Sequence, residues 1–86
     1  MNKVQWQPKA TRQLRKIKDK QQQQCIYQET RVLERFPDCP NVKRLTNHIY
    51  SYRLRIGDYR VFFEFVGGEA HVVYIEEVRK RDERTY

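Results

Sequence analysis

The chain has few residues of the kinds that mark disulfide-rich, membrane-spanning or linker-rich proteins. Its 86 residues include only two cysteines, three glycines, three prolines, one methionine and one tryptophan. Cys25 and Cys39 are too few for a disulfide framework or a zinc site, so we expect reduced thiols. No apolar run approaches the roughly 20 residues of a membrane span, and residues 1–6 lack the apolar stretch of a signal peptide. These absences predict a cytoplasmic protein with no membrane partner.

Acidic residues are also scarce relative to basic ones. There are 18 Lys+Arg against 11 Asp+Glu, for a net charge of +7, and residues 1–20 alone carry +6 of it. Such an excess of positive charge favours a polyanionic partner, and nucleic acid is the first candidate. A basic helix face is, however, also typical of an ordinary solvated surface. The 13% aromatic content indicates a packed core, and the length predicts one domain over residues 1–86.

The first half of the chain has the pattern of one strand and two helices. Val4–Gln7 alternates apolar and polar residues, which predicts a strand that Pro8 ends. A helical stripe follows, made of Ala10, Leu14 and Ile17. Asp19 is a candidate N-cap for a second helix over Lys20–Phe36. The predicted inward residues of that helix are Cys25, Ile26, Val32, Leu33 and Phe36.

The second half has the period of strands. Three strands are predicted, Tyr52–Ile56, Tyr59–Val66 and Ala70–Val78, joined by turns at Gly57-Asp58 and Gly67-Gly68. The predicted fold class is therefore α+β in the order β-α-α-β-β-β. We expect the helical hairpin to pack on one face of a small, mainly antiparallel four-stranded sheet.

The first turn fixes which residues face each other. A two-residue turn at Gly57-Asp58 places Arg55 opposite Arg60 and Arg53 opposite Phe62. We call the surface formed by these four side chains the arginine face. The opposite face is apolar and is expected to receive the helices; its residues are Tyr52, Leu54, Ile56, Tyr59, Val61 and Phe63.

Arginines directly opposite each other destabilise a sheet. Residues that cost stability in this way tend to belong to functional sites. The facing arginines therefore predict an anion site, most naturally for phosphate, which a guanidinium binds through two parallel hydrogen bonds. The alternative is that nearby carboxylates neutralise the arginines in surface ion pairs; the candidates are Asp58, Glu64 and Glu77.

The length of the second turn decides on which face of the sheet the arginines of the last strand lie. A two-residue turn at Gly67-Gly68 pairs Phe63 with Val72 and Arg60 with Ile75, and it continues Arg79 and Arg81 on the arginine face. A three-residue turn that includes Glu69 reverses this parity. The sequence leaves both registers open.

Several kinds of chemistry have no sequence support. There is no P-loop, no glycine-rich phosphate cradle and no metal-ligand cluster, so we expect no cofactor and no metal. His48 and His71 lack motif spacing and are interpreted as a loop and a strand histidine. Glu76-Glu77 could offer one carboxylate base, but a salt bridge at the end of the strand is favoured. Tyr86 is either a frayed end or a phenol that stacks on a base or transfers a proton.

The segment Tyr52–Phe62 and the ending Val78–Tyr86 resemble the RelE/ParE toxin superfamily, and the element order agrees along nearly the whole chain. RelE-type members are toxins of type II toxin–antitoxin systems. They are metal-independent, ribosome-dependent endoribonucleases that cut mRNA in the ribosomal A site. The ribose 2′-hydroxyl attacks the adjacent phosphate, leaving a cyclic phosphate and a 5′-hydroxyl. The resemblance places the active surface on the sheet face away from the helices.

The resemblance also implies roles for particular residues. Arg60 would contact the scissile phosphate. Arg53 and Arg55 would stabilise the phosphorane or the hydroxyl being activated, and Arg81 would stabilise charge or protonate the leaving group. Tyr86 would stack on a base or orient the 2′-hydroxyl. The general base stays open, because Ser51 stands where some members have a further basic residue. Further RNA-binding candidates are Arg55, Lys43, Arg44, Lys80, Arg84, Arg12 and Lys16.

The implied partners are a cognate antitoxin, the 70S ribosome with its mRNA, and ribosomal RNA at the basic N-terminal helix. One alternative is a ParE-like inhibitor of DNA gyrase without enzymatic activity, although such members generally lack the Arg and Tyr set. Another is a degenerate toxin that only binds its antitoxin.

Overall fold

The computed structural model describes residues 1–81. Two α-helices and a short 3₁₀ helix pack on one face of a five-stranded sheet. In chain order the elements are β1 Lys3–Trp6, α1 Pro8–Arg15, α2 Lys20–Glu29, the 3₁₀ helix Thr30–Arg35, β2 Val42–Arg44, β3 Tyr52–Ile56, β4 Tyr59–Val66 and β5 Val72–Lys80. No helix within residues 1–81 is long and apolar enough to cross a membrane.

The sheet has the strand order β1-β5-β4-β3-β2. β1 runs parallel to β5, and the other neighbours are antiparallel. The α+β class and the helical hairpin on one face are as expected. The fifth strand, β2, was not predicted, because Val42–Arg44 has three residues of which two are basic, too short for a visible alternation.

The helices begin and end for local reasons. Asp19 caps α2 as predicted, since its Oδ1 accepts hydrogen bonds from the backbone N–H groups of Gln21 and Gln22 at 3.0 and 3.3 Å. The predicted helix over Lys20–Phe36 is α-helical only to Glu29. Thr30 Oγ1 then donates to the Tyr27 carbonyl at 2.7 Å, and the chain continues as a 3₁₀ helix.

The core lies between the helices and the apolar face of the sheet. It joins Ala10, Ile26, Leu33 and Phe36 to strand residues that include Leu54, Val61 and Phe63. The predicted apolar face of the hairpin is thereby confirmed. Cys25 was wrongly placed in the core: it is exposed on α2, while Cys39 is half-buried, and both are free thiols. Burial and the neighbouring Asp38 raise the pKa of the Cys39 thiol.

Candidate active site on the arginine face

The predicted pairing of β3 with β4 is confirmed at every position. Gly57 begins the turn with a φ of 54°, a left-handed conformation that glycine adopts without strain. Arg55 then lies opposite Arg60, and Arg53 lies opposite Phe62. The arginine face thus follows from one short turn and the alternation of two strands.

β5 extends the arginine face. Arg79 lies directly opposite Arg60, so Arg55, Arg60 and Arg79 form a row across three strands, which we call the arginine row. A second row beside it consists of Lys43, Arg53, Phe62 and Glu77. The two rows carry five basic side chains and one carboxylate on a single surface.

The register that places Arg79 on this surface differs from both predicted registers, the one with a two-residue turn and the one with a three-residue turn. The loop between β4 and β5 spans residues 67–71, and Phe63 pairs with Ile75, so the predicted pairs Phe63–Val72 and Arg60–Ile75 are wrong. A β-bulge then intervenes between Phe62 and Phe63, and Glu76 is the extra residue on β5. With its five residues, the loop alone would place Arg79 on the face opposite Arg60. The extra residue at the bulge shifts the alternation by one position, so that Arg79 lies on the same face as Arg60.

Glu77 is the buried carboxylate of the arginine face, with 10% of its side chain exposed. Its Oε1 lies 2.6 Å from Lys9 Nζ on α1, and its Oε2 lies 3.4 Å from Arg79 Nε. The Glu77 carboxylate raises the pKa of Lys9, with a smaller contribution from Tyr50. The favoured interpretation of Glu77 as a salt-bridge residue is confirmed, and its partners are Lys9 and Arg79.

The other two candidate acids make contacts that anchor the strands. The Glu64 carboxylate accepts hydrogen bonds from the Ser51 backbone N–H at 3.2 Å, and the backbone carbonyl of Asp58 accepts one from the Arg81 backbone N–H at 2.7 Å. Glu64 therefore holds the start of β3, while Asp58 fixes the chain where β5 ends.

The loop between β2 and β3 crosses the arginine face and covers Phe62. The His48 ring stacks on Phe62 with centroids 5.1 Å apart, and the Tyr50 ring does so at 5.6 Å. The sequence did not identify His48 or Tyr50 as part of the site, and it left open on which face Arg79 lies. Two aromatic rings in a loop that precedes an arginine-bearing strand were the available signal for His48 and Tyr50.

Several predicted RNA-binding residues lie elsewhere. Arg44 pairs with Tyr52 and Lys80 pairs with Tyr59, so both belong to the face opposite the arginine row. Lys80 instead lines an open groove of about 520 Å³ together with Lys16 at the end of α1. Arg12 is exposed on α1. The predicted basic residues therefore do not all lie on the arginine face.

The C-terminal candidates are only partly placed. Arg81 is exposed directly after β5, at the parity of Arg79, and its position is fixed by the hydrogen bond to Asp58. Arg84 and Tyr86 lie outside the described residues. Within residues 1–81 no group of three or more His, Cys, Asp or Glu side chains is placed to hold a metal ion. The arrangement that is present can bind an anion and stabilise charge that develops on it.

Comparisons with known proteins agree with this fold. A solved structure described as a YoeB/ParE toxin from Agrobacterium tumefaciens is similar with a TM-score of 0.72 and 15% sequence identity, over 93% of this chain and 99% of that one. No curated protein sequence matches significantly. A family model described as the ParE toxin of the type II toxin–antitoxin system parDE matches residues 4–85. The chain therefore belongs to the ParE toxin family of type II toxin–antitoxin systems, within the RelE/ParE superfamily.

Proposed function

We propose that this toxin is a ribosome-dependent mRNA endonuclease that cuts in the A site and thereby inhibits translation. The observation that carries the proposal is the arginine row, Arg55, Arg60 and Arg79, on the sheet face away from the helices. Guanidinium groups side by side suit a phosphate that gains charge during attack. Family membership implies a cognate antitoxin that neutralises the toxin.

The reaction needs positioning and charge stabilisation more than a cofactor. The 2′-hydroxyl oxygen forms a bond to the adjacent phosphorus while its proton passes to a base. The bond from phosphorus to the 5′-oxygen then breaks, and that oxygen takes a proton. We assign Arg60 to the scissile phosphate and Arg53 to the phosphorane. Arg81 would protonate or stabilise the leaving oxygen, and Tyr86 would stack on a base or orient the 2′-hydroxyl.

The basic residues away from the arginine face have a separate proposed role. We assign Arg12 on α1, Lys16 at its C-cap, and Lys80, which lines the same groove as Lys16, to phosphates of ribosomal RNA. Lys43 and Arg55 would hold the mRNA backbone beside the scissile phosphate, and Arg84 would contact RNA at the rim. Arg44 lies on the opposite face of the sheet and is assigned no RNA contact.

The test is primer extension on a translated mRNA after the toxin is induced. We expect new 5′-ends within codons in the wild type and their loss in Arg60→Ala. Arg44→Ala is the matched control, because it removes an exposed arginine from the opposite face of the same sheet. Intact mRNA in the wild type, or equal cleavage by Arg60→Ala, contradicts the proposal.

A second candidate is inhibition of DNA gyrase without chemistry, which the description of the matching family model as a ParE toxin favours. In that case induction stops DNA replication while mRNA stays intact. Supercoiling by purified gyrase in the presence of the toxin separates the two functions directly. The arginine row supports the first candidate, because three arginines that lie opposite one another on adjacent strands suit a phosphate backbone.

A further inference from the structure

Phe62 is buried although it points away from the helices and the core. Only 6% of its surface is exposed, and its neighbours in the second row of the arginine face are Arg53 and Glu77. The cover comes from residues 45–51, which lay two aromatic rings on it. The loop therefore builds a small aromatic stack within the arginine face.

His48 lies on Phe62 beside Tyr50, with its ring centroid 5.9 Å from that of Tyr50, and two contacts hold it in place. Its ring is within 14° of parallel to Phe62. Its Nδ1 accepts a hydrogen bond from the Tyr50 backbone N–H at 3.1 Å, so the neutral ring carries its hydrogen on Nε2. Asn47, with a φ of 54°, makes the turn that brings the ring over the sheet. The orientation of the ring is set before any ligand arrives.

His48 is exposed although its ring lies on Phe62 and 5.9 Å from the Tyr50 ring. A ligand can therefore reach the residue from the side that faces away from Phe62. Nucleobases stack on aromatic rings, including histidine, with little dependence on base identity. A ring fixed in orientation loses little conformational entropy when a base stacks on it.

We propose that the outer face of His48 is a stacking platform for a nucleobase whose neighbouring phosphate binds the arginine row. Phe62, beneath the platform, is two residues from Arg60 on β4, and a strand rises roughly 6.6 Å over two residues. One nucleotide spans such a distance between its phosphate and its base. The proposal rests on the proposed RNA substrate, and the platform is separate from the base contact assigned to Tyr86.

Nuclear magnetic resonance of the two histidine rings tests the platform on the isolated toxin. The chain has only His48 and His71, so each variant lacking one ring assigns the other. Adenosine 5′-monophosphate is expected to shift the His48 ring signals, with His71 unchanged. Ribose 5-phosphate, which has the phosphate without the base, is expected to leave His48 unshifted. Equal shifts from both compounds, or no shift of His48, overturn the proposal.

Substitutions then separate stacking from hydrogen bonding. The probe is a short single-stranded RNA with 2′-O-methyl riboses, which cannot be cleaved by 2′-hydroxyl attack. We expect His48→Ala to weaken its binding by about fivefold to tenfold, while His48→Phe retains wild-type affinity because the ring remains. His71→Ala is the matched control. Equal loss in the Ala and Phe variants, with circular dichroism showing both folded, contradicts a stacking role.

These measurements are independent of cleavage and of the ribosome. If mRNA stays intact in cells but the His48 signals respond to the nucleotide as described, the cleavage proposal fails and the platform stands. If mRNA is cut but His48→Ala binds and cleaves RNA like the wild type, only the platform fails. If His48→Ala binds RNA normally but escapes neutralisation by the antitoxin, the loop is a protein contact and the platform is refuted.

Discussion

The two faces of the β3–β4 hairpin share one backbone register but differ in burial and in charge. On one face Leu54, Val61 and Phe63 are almost completely buried against the helices. On the other face Arg55 and Arg60 stand opposite each other, and Arg60 also stands opposite Arg79. Burial of the first face lowers the free energy of the folded state, whereas the like charges that face each other on the second are expected to raise it. Substitutions on the two faces should therefore change stability in opposite directions.

The largest effect is expected on the apolar face. Phe63→Ala removes a fully buried ring and should lower the free energy of unfolding by about 3–5 kcal/mol. Urea denaturation followed by circular dichroism measures it. Val66→Ala, at the half-exposed end of the same strand, is the control and should cost less than about 1 kcal/mol. Comparable losses in both variants would show that the helices do not protect this face.

The next largest effect concerns binding on the arginine face. Arg79→Ala should weaken binding of single-stranded RNA by about tenfold at low salt, since it removes a charge-assisted phosphate contact. The slope of log affinity against log salt should become shallower by about 0.7, the value for one phosphate on a single strand. Fluorescence anisotropy across a salt series gives both numbers. Arg44→Ala should leave them unchanged, and an unaltered slope in Arg79→Ala would remove Arg79 from the binding surface.

A smaller change in the free energy of unfolding, of opposite sign to that of Phe63→Ala, tests whether the facing arginines destabilise the sheet. Arg55→Thr should raise the free energy of unfolding by about 0.2–1 kcal/mol, because it replaces one of two facing arginines with a residue that suits strands. The same variant should bind RNA less tightly. Arg44→Thr is the control, since Arg44 pairs with Tyr52 rather than with a like charge. A loss of stability in Arg55→Thr would mean that the facing arginines do not repel.

The smallest effect concerns the ion pair between Lys9 and Glu77. Because Glu77 raises the pKa of Lys9 above its ordinary value of 10.5, the pair stabilises the fold below that pH, and the contribution is lost as pH rises through the raised pKa. The melting temperature of the wild type should therefore approach that of Lys9→Met at strongly alkaline pH. Melting curves between pH 8 and pH 11.5 or so test this, and a gap that stays constant across the series contradicts it.

The sequence predicts what depends on neighbouring residues. The Gly57-Asp58 turn determined the pairing of Arg55 with Arg60, and the Asp19 cap determined where α2 begins. The features that it did not predict depend on residues distant in the chain. The bulge at Glu76 lies in the pairing of β5 with β4, which are joined by a five-residue loop, and the contact of His48 with Phe62 follows from tertiary packing of a loop without regular period.

The candidate site divides in the same way. Arg53, Arg55 and Arg60 were placed on one face from the turn alone, and the structure puts them there. Lys80 and Arg44 could not be assigned to a face, because their pairing depends on the bulge and on the unpredicted β2. Roles in catalysis for Arg53, Arg60, Arg81 and Tyr86 stay predictions.

The order of the strands has a consequence for how free toxin molecules meet. The two longest strands, β4 and β5, lie inside the strand order, while the outer strands are β1 and β2, with four and three residues. β1 pairs only with Val72–Ile75 of β5, and beyond them α1 contacts the strand, where Gln13 Oε1 accepts a hydrogen bond from the Val78 N–H at 2.7 Å. The outer strands carry Lys3, Lys43 and Arg44, all exposed. Two copies that approach edge to edge can form few backbone hydrogen bonds and must bring cations together. Toxin that has lost its antitoxin is thus protected against growth of a shared sheet and aggregation.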